Sequence, residues 1–299
     1  MKYVLTLIGN PAGPSLEREQ VDIAAAALDE AGAEVADPAW LAPGLACDIG
    51  FEALAPDQAD EAVRQYLRDA PVDIIAQADV RRAKKLLVAD MDSTIIEVEC
   101  IDELADYMGL RDEVAAITER TMRGELDFVH SLKARAALLK GLKARALDRA
   151  FNDRITYASG AHTLIRTMRA HGADTALISG GFSYFTERVR LALGFTIDEA
   201  NLLEISDGVV TGEVGEPILD PAGKVGILAR LAGERGLDLE DTITVGDGAN
   251  DIPMIQAAGL GVAYHARPQV AVAAKARIDH GDLTALLYAQ GYRADQLVD

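Results

Sequence analysis

Short apolar runs and helical periodicities alternate along the chain and fall into two blocks. Residues 3–8 (YVLTLI) read as a strand, and 16–31 as an alanine-rich helix closed by Gly32. Residues 34–40 and 47–54 read as two strands across a Pro43-Gly44 turn. Residues 57–69 read as a helix with Asp57 at its N-cap, and 72–77 as a last short strand. That βαββαβ order predicts a ferredoxin-like α+β domain over residues 1–80. Beyond it the pattern changes. Continuous apolar runs at 86–90 (LLVAD), 174–179 (DTALIS), 242–247 (TITVGD) and 260–264 (LGVAY) alternate with helical stretches at 161–171, 185–193, 224–235 and 251–258. Strands apolar on both faces and separated by helices predict an α/β, doubly wound parallel sheet over residues 81–299. In such sheets the chemistry gathers at the carboxyl ends of the strands.

The stretch between residues 90 and 174 is too long for one crossover helix. Ile101, Leu104, Ala105 and Met108 keep helical spacing, and 113–122, 127–140 and 143–151 also read as helices. A helical cap inserted after the first strand, at about 97–155, is therefore predicted, together with a small hairpin at about 204–214 around Asp207-Gly208.

Composition narrows the partners. The chain has 299 residues, is 49% hydrophobic and carries a formal net charge of −19. Such acidity disfavours nucleic acid and anionic lipid surfaces, and no apolar run is long enough to span a bilayer. The basic run Arg81-Arg82-Ala83-Lys84-Lys85 reads in that context as a solvated linker. Two cysteines, Cys47 and Cys100, without metal spacing fit a reducing compartment and a cytoplasmic protein. The five histidines, at 130, 162, 171, 265 and 280, are scattered without ligand spacing.

The candidate chemistry stands at four strand ends. Asp90-Met91-Asp92-Ser93-Thr94 places two acids one residue apart where an apolar strand turns out, so that one can attack and the other can move a proton. A lone Asp there would simply cap the next helix. Ser179-Gly180-Gly181 offers a hydroxyl and glycine N–H groups as an anion cradle. Lys224 opens a helix and can neutralise an anion, but Ile218 and Val225 rule out a P-loop. Gly246-Asp247-Gly248-Ala249-Asn250-Asp251 supplies the oxygen ligands that suit Mg²⁺.

This set resembles the haloacid dehalogenase superfamily, and within it the bacterial phosphoserine phosphatase family. The likeness extends through Glu99–Glu103, 122–128, 131–135 and Phe182, and covers about residues 84–280; residues 1–80 resemble the ACT-like domains of bacterial members. The resemblance implies hydrolysis of O-phospho-L-serine, the last step of serine biosynthesis, through an aspartyl-phosphate on Asp90. It implies that Asp92 is the acid/base, and that Mg²⁺ is held by Asp90, the Asp92 carbonyl and Asp247, with Asp251 orienting the metal shell. Ser179, Gly180, Lys224 and Asn250 would hold the phosphoryl group, with Gly181 in support. Arg135 would clamp the substrate carboxylate, Glu99 the ammonium, and Met122 and Phe128 would form the apolar wall. Phosphotransfer to an alcohol, another small phosphate ester, and a degenerate amino-acid-sensing protein are the competing readings. For the N-terminal domain, serine binding, homodimerisation and simple packing all remain open.

Overall fold

The computed structural model describes residues 1–299, which divide into two compact units. One takes Met1–Lys85 with Ser159–Ala173 and Ala276–Asp299, and the other takes Leu86–Ala158 with Asp174–Lys275.

In the first unit, Tyr3–Ile8, Glu34–Val35, Ala39–Ala42, Ala46–Glu52 and Asp73–Ala78 form one antiparallel sheet. The order is Glu34–Val35, Ala46–Glu52, Tyr3–Ile8, Asp73–Ala78, with Ala39–Ala42 added beside Ala46–Glu52. This is the ferredoxin-like order with one strand more than the sequence pattern predicts. The expected strand at 34–40 is broken in two because Pro38 lies between its halves and has no N–H to give a ladder. Leu5, Leu7, Ile49 and Phe51 share a core with Val21 and Leu28 of helix Arg18–Glu30 and with Ala59 and Val63 of helix Pro56–Tyr66. Each large side chain so buried contributes roughly 1.5–3 kcal/mol. Asp57 is not the N-cap of its helix. Pro56 takes the first helical position, Ala55 is the cap, and Asp57 adds its charge to the first turn.

Arg82 is not in a solvated linker. Its guanidinium donates to Asp48 (2.6 and 2.7 Å), to Thr6 Oγ1 (2.8 Å) and to the carbonyls of Tyr288 (3.2 Å) and Ala289 (3.0 Å). A guanidinium taken out of water needs that many acceptors. Asp73 does the converse. Its buried carboxylate accepts from the N–H groups of Asp279 (2.7 Å), His280 (3.1 Å) and Gly281 (2.7 Å). Burial pushes the Asp73 carboxyl up, and those three N–H groups pull it partly back. These contacts tie the chain's last segment into this unit. Asp73→Ala leaves the three amides without a partner. It is expected to cost about 3 kcal/mol, read as a lowered urea midpoint. An unchanged midpoint would show that water replaces the carboxylate without loss.

In the second unit, Leu86–Ala89, Asp174–Phe182, Ile197–Asn201, Thr242–Gly246 and Leu260–Tyr264 pair in parallel. Their spatial order is Leu260–Tyr264, Thr242–Gly246, Leu86–Ala89, Asp174–Phe182, Ile197–Asn201. The chain winds outward from Leu86–Ala89 in one direction and then returns to wind in the other. The order therefore reverses between Leu86–Ala89 and Thr242–Gly246, and a crevice opens at their carboxyl ends. Helices Pro221–Glu234 and Ile252–Ala257 cover one part of the sheet through Leu228, Leu231 and Met254, packed on Leu86, Val88 and Ile178.

The insertion after Leu86–Ala89 is helical: Cys100–Asp106, Arg111–Met122, Phe128–Leu138 and Arg145–Arg154. Asp127 caps the third of these, accepting from His130 N–H at 2.8 Å. The hairpin Leu203–Ser206 and Val209–Val214 turns at Asp207 (φ 52°) and Gly208 (φ 74°), the left-handed pair that a two-residue hairpin turn needs. Helix Phe128–Leu138 packs on it at Gly212, where a Cβ would meet Ala137 Cα at 3.3 Å.

Candidate active site

Asp90 follows directly on the buried strand Leu86–Ala89, and its N–H still extends the ladder to Val245 O (3.0 Å). The chain then turns tightly: Met91 O accepts from the N–H groups of Thr94, Ile95 and Ile96 at 3.3, 2.9 and 3.0 Å. Ser93 takes the left-handed conformation (φ 56°) inside that turn. Both acids are thereby held at one strand end.

Lys224 Nζ donates to Asp90 Oδ1 and to Asp251 Oδ1, both at 2.7 Å. It is 1% exposed and Asp251 is 0% exposed. Burial pulls the ammonium's pKa down, but the charges of Asp251 and Asp90 outweigh it and leave it raised. The helix that carries it starts at Asp220, whose side chain accepts from Gly223 N–H at 2.8 Å. Asp90 is itself pushed well up, first by burial and then by the Asp251 charge, with Lys224 opposing. Asp247 is pushed up to about 7 by burial and Asp251, against a hydrogen bond from Thr94 Oγ1 (3.2 Å).

The carboxylates of Asp90, Asp247 and Asp251 lie within 4.8 Å of one another. Three buried acids share one ammonium, and burial, reinforced by the neighbouring Asp251 charge, pushes both Asp90 and Asp247 up. An all-oxygen donor set of this kind fits a hard divalent cation. Asp92 adds no carboxylate to the cluster. Its Oδ1 accepts from Cys100 N–H (2.8 Å) and its Oδ2 from Ser179 Oγ (3.0 Å), so any share it has in a metal site falls to its main-chain carbonyl. Asp251, read from the sequence as a supporting residue, stands inside the cluster.

At the next strand end Ser179 Oγ also accepts from Gly181 N–H at 2.8 Å. Both glycines let neighbouring side chains approach closely. A Cβ on Gly181 would lie 2.9 Å from Asp92 Oδ2, and one on Gly180 would lie 2.5 Å from Phe128 Cζ. Asn250 follows Asp247 on the turn, and its Oδ1 is buried with no hydrogen-bond partner.

The cap completes a small pocket over these groups, with Glu99, Met122, Phe128 and Arg135 in its wall beside Asp90, Asp92, Ser179 and Asn250. Arg135 is 2% exposed, and burial pulls its pKa down against the charges of Glu99, Asp102 and Asp92. Its contacts are Ser131 O (3.3 Å) and Thr118 Oγ1 (3.0 Å), and it makes no ion pair. Glu99 is pushed well up by burial and by the charges of Asp92 and Asp247, and is held by Ser93 Oγ at 2.7 Å. Cap and sheet are joined by Arg267, whose guanidinium grips Glu119 at 2.7 and 2.5 Å.

Every candidate site residue named from the sequence lies in or beside this one site. Sequence reasoning named Thr94 in the first motif but gave it no role, whereas in the structure it holds Asp247; it missed Asn201, which holds two loops. Asn201 is buried. It donates to Gly180 O (2.9 Å) and accepts from Leu219 N–H (2.6 Å), coupling the Ser179 strand end to the chain entering the Lys224 helix. Its signal was weak: one amide closing a strand that is only half buried along most of its length.

A doubly wound sheet with paired acids at its switch point, a buried lysine beside them and a helical cap above defines a capped α/β hydrolase. The chain belongs to the haloacid dehalogenase-like hydrolase family, whose model matches residues 87–256. It is 38% identical to a phosphoserine phosphatase of Streptomyces coelicolor over 99% of this chain and 72% of that one, and 44% identical to one of Polaromonas over 68% and 88%. Among solved structures, a haloacid dehalogenase family hydrolase of Salmonella enterica serovar Typhi matches 96% of this chain and 98% of its own, at TM-score 0.83 and 29% identity. A phospho-aspartyl intermediate analogue of a phosphoserine phosphatase matches 69% and 98%, at TM-score 0.66 and 40% identity. No helix is long and apolar enough to cross a membrane.

Proposed function

We propose that this chain hydrolyses O-phospho-L-serine to L-serine and phosphate through an aspartyl-phosphate on Asp90. The observation that carries the substrate is a guanidinium and a carboxyl in one pocket, neither in an ion pair. Arg135 is a buried cation without a carboxylate partner, and the Glu99 carboxyl takes its one hydrogen bond from Ser93. Together they complement a molecule bearing one carboxylate and one ammonium, presented beside Asp90 and Asp92. Similarity to phosphoserine phosphatases over most of the chain supports the same reading. The ferredoxin-like order of the first unit supports reading it as ACT-like.

In this mechanism an oxygen of Asp90 attacks phosphorus while Lys224 holds that carboxylate in place. Ser179 Oγ–H, Gly180 N–H and the Asn250 Nδ2 amide group donate to the phosphoryl oxygens. Asp92, set by Cys100 N–H once Ser179 turns its hydroxyl to the phosphoryl group, gives its proton to the departing serine oxygen and then takes one from the water that cleaves the aspartyl-phosphate. Gly181 leaves room for that carboxylate, and Met122 and Phe128 exclude bulk water. Asp90, the Asp92 carbonyl and Asp247 would hold Mg²⁺, with Asp251 steadying the set. When bound, the ion offsets the repulsion between an anionic nucleophile and an anionic phosphate.

The test is a phosphate-release panel of phosphoserine, phosphothreonine, O-phosphoethanolamine and glycerol phosphate, with Mg²⁺ or with chelator. Phosphoserine should be preferred, and chelator should abolish release. Mg²⁺ at about 100 times its Kd should also stabilise the fold by about 2.7 kcal/mol, seen as a raised Tm. Equal rates across the panel, or release that survives chelation, would overturn the proposal.

A further inference from the structure

We infer that Thr118 is a positioning residue for substrate selection, acting as a neutral spacer between Asp102 and Arg135; this rests on the reading of Arg135 as the carboxylate clamp. Three cap helices converge at this point. Asp102 lies on Cys100–Asp106, Thr118 on Arg111–Met122 and Arg135 on Phe128–Leu138. Thr118 is buried, and its hydroxyl donates to Asp102 Oδ1 at 2.8 Å while accepting from Arg135 Nη1 at 3.0 Å. The alternative acceptor for the one hydroxyl proton, Val114 O at 3.1 Å, is the farther and the uncharged one. The Asp102 carboxylate therefore draws the proton and turns the oxygen lone pairs towards the guanidinium.

The remaining contact of Arg135, Nε–H to Ser131 O, lies within its own helix, four residues back. Thr118 is thus its one hydrogen bond to another element. A second pair, Thr121 Oγ1 and Ser131 Oγ at 2.6 Å, fixes the same two helices and gives the relay a rigid base. Of the five guanidinium N–H groups, two are engaged, and both on Nη2 plus one on Nη1 are left over. That remainder suits an end-on, two-pronged grip on a carboxylate.

The spacer explains how the site keeps a cation buried yet unspent. A direct Asp102–Arg135 ion pair would occupy the fork and neutralise it before substrate arrived. With a hydroxyl between them, Asp102 still offsets the guanidinium's charge at longer range, while the donors stay free. Asp102 is itself pushed up by burial, with the Thr118 hydrogen bond and the Arg135 charge pulling it back.

Thr118→Val keeps the shape and the β-branch but removes both hydrogen bonds, whereas Thr118→Ser keeps the hydroxyl. Steady-state kinetics of the full-length Mg²⁺ enzyme would be measured on phosphoserine and on O-phosphoethanolamine, which retains the phosphate and ammonium but lacks the carboxylate. In Thr118→Val, KM for phosphoserine should rise roughly 10- to 100-fold, the range of one hydrogen bond to a charged group. Its kcat should stay within about threefold, and kinetics on O-phosphoethanolamine should not change. Thr118→Ser should restore most of the phosphoserine KM. A wild type indifferent to the carboxylate overturns the parent reading and the spacer with it. A wild type that discriminates, with discrimination intact in Thr118→Val or lost equally in Thr118→Ser, overturns the spacer alone. A loss shared by both esters points to a purely structural role and overturns it too.

Discussion

Asp90→Asn is expected to lower phosphate release by at least about 10⁴-fold while leaving the fold intact. The carboxamide lacks the negative charge and the second oxygen of the attacking carboxylate, its remaining oxygen is a poor nucleophile, and no other acid can replace Asp90. Asp92 is turned towards Cys100 N–H and Ser179, and Asp251 is 0% exposed and held by Lys224 and Gly248 N–H. A loss of that size corresponds to about 5.5 kcal/mol of transition-state stabilisation. Stability should move little or upwards. Asn removes a carboxyl already pushed up by burial and by Asp251, and Lys224 keeps its 2.7 Å partner Asp251. Activity and Tm should therefore separate. Trapping with hydroxylamine during turnover should label the wild type at Asp90 and leave the variant unlabelled. More than about 1% residual activity in Asp90→Asn would remove the covalent step from this site.

The motifs at 90–94, 179–181 and 246–251 were legible because a parallel sheet leaves little freedom. Buried parallel strands read as unbroken apolar runs, and their carboxyl ends must face one edge. Asp90, Ser179 and Asp247 could then be placed together without knowing any distance. The cap was legible for a similar reason, since the chain between residues 90 and 174 has too much helical pattern to be a loop. What stayed hidden depends on contacts far apart in sequence. Asp73 meets the amides of Asp279 and Gly281 more than 200 positions away, and nothing local announces it. The basic run at Arg82 looked solvated because its partners, Asp48 and two carbonyls near the C-terminus, are scattered along the chain. Thr118 and Asn201 were invisible because one threonine in a helix or one asparagine at a strand end carries no pattern. Their importance comes from which charged or backbone groups they bridge.

Lys224→Met is expected to damage stability and activity together, and the two losses should respond differently to Mg²⁺. The ammonium is 1% exposed and sits 2.7 Å from both Asp90 and Asp251. Methionine fills the same channel without the charge, so two carboxylates lose the one cation bonded to them, with Asp247 close by. Breaking a buried pair by removing one partner costs about 3–5 kcal/mol, because the remaining charge is left without compensation. In chelator, therefore, the variant should unfold at a markedly lower urea concentration than the wild type. Mg²⁺ brings positive charge to the same carboxylates and should narrow that gap by preferential binding to the folded form. Turnover should not recover alongside it. The position of Asp90 and the neutralisation of the phosphoryl group both draw on the lysine, and losing a preorganised charge of this kind typically lowers kcat by about 10²–10³. A variant as stable as the wild type in chelator would mean that the acids lose nothing without Lys224. A variant restored by Mg²⁺ in both stability and kcat would reduce the lysine to a structural counter-ion, with no part in holding the nucleophile or the phosphoryl group.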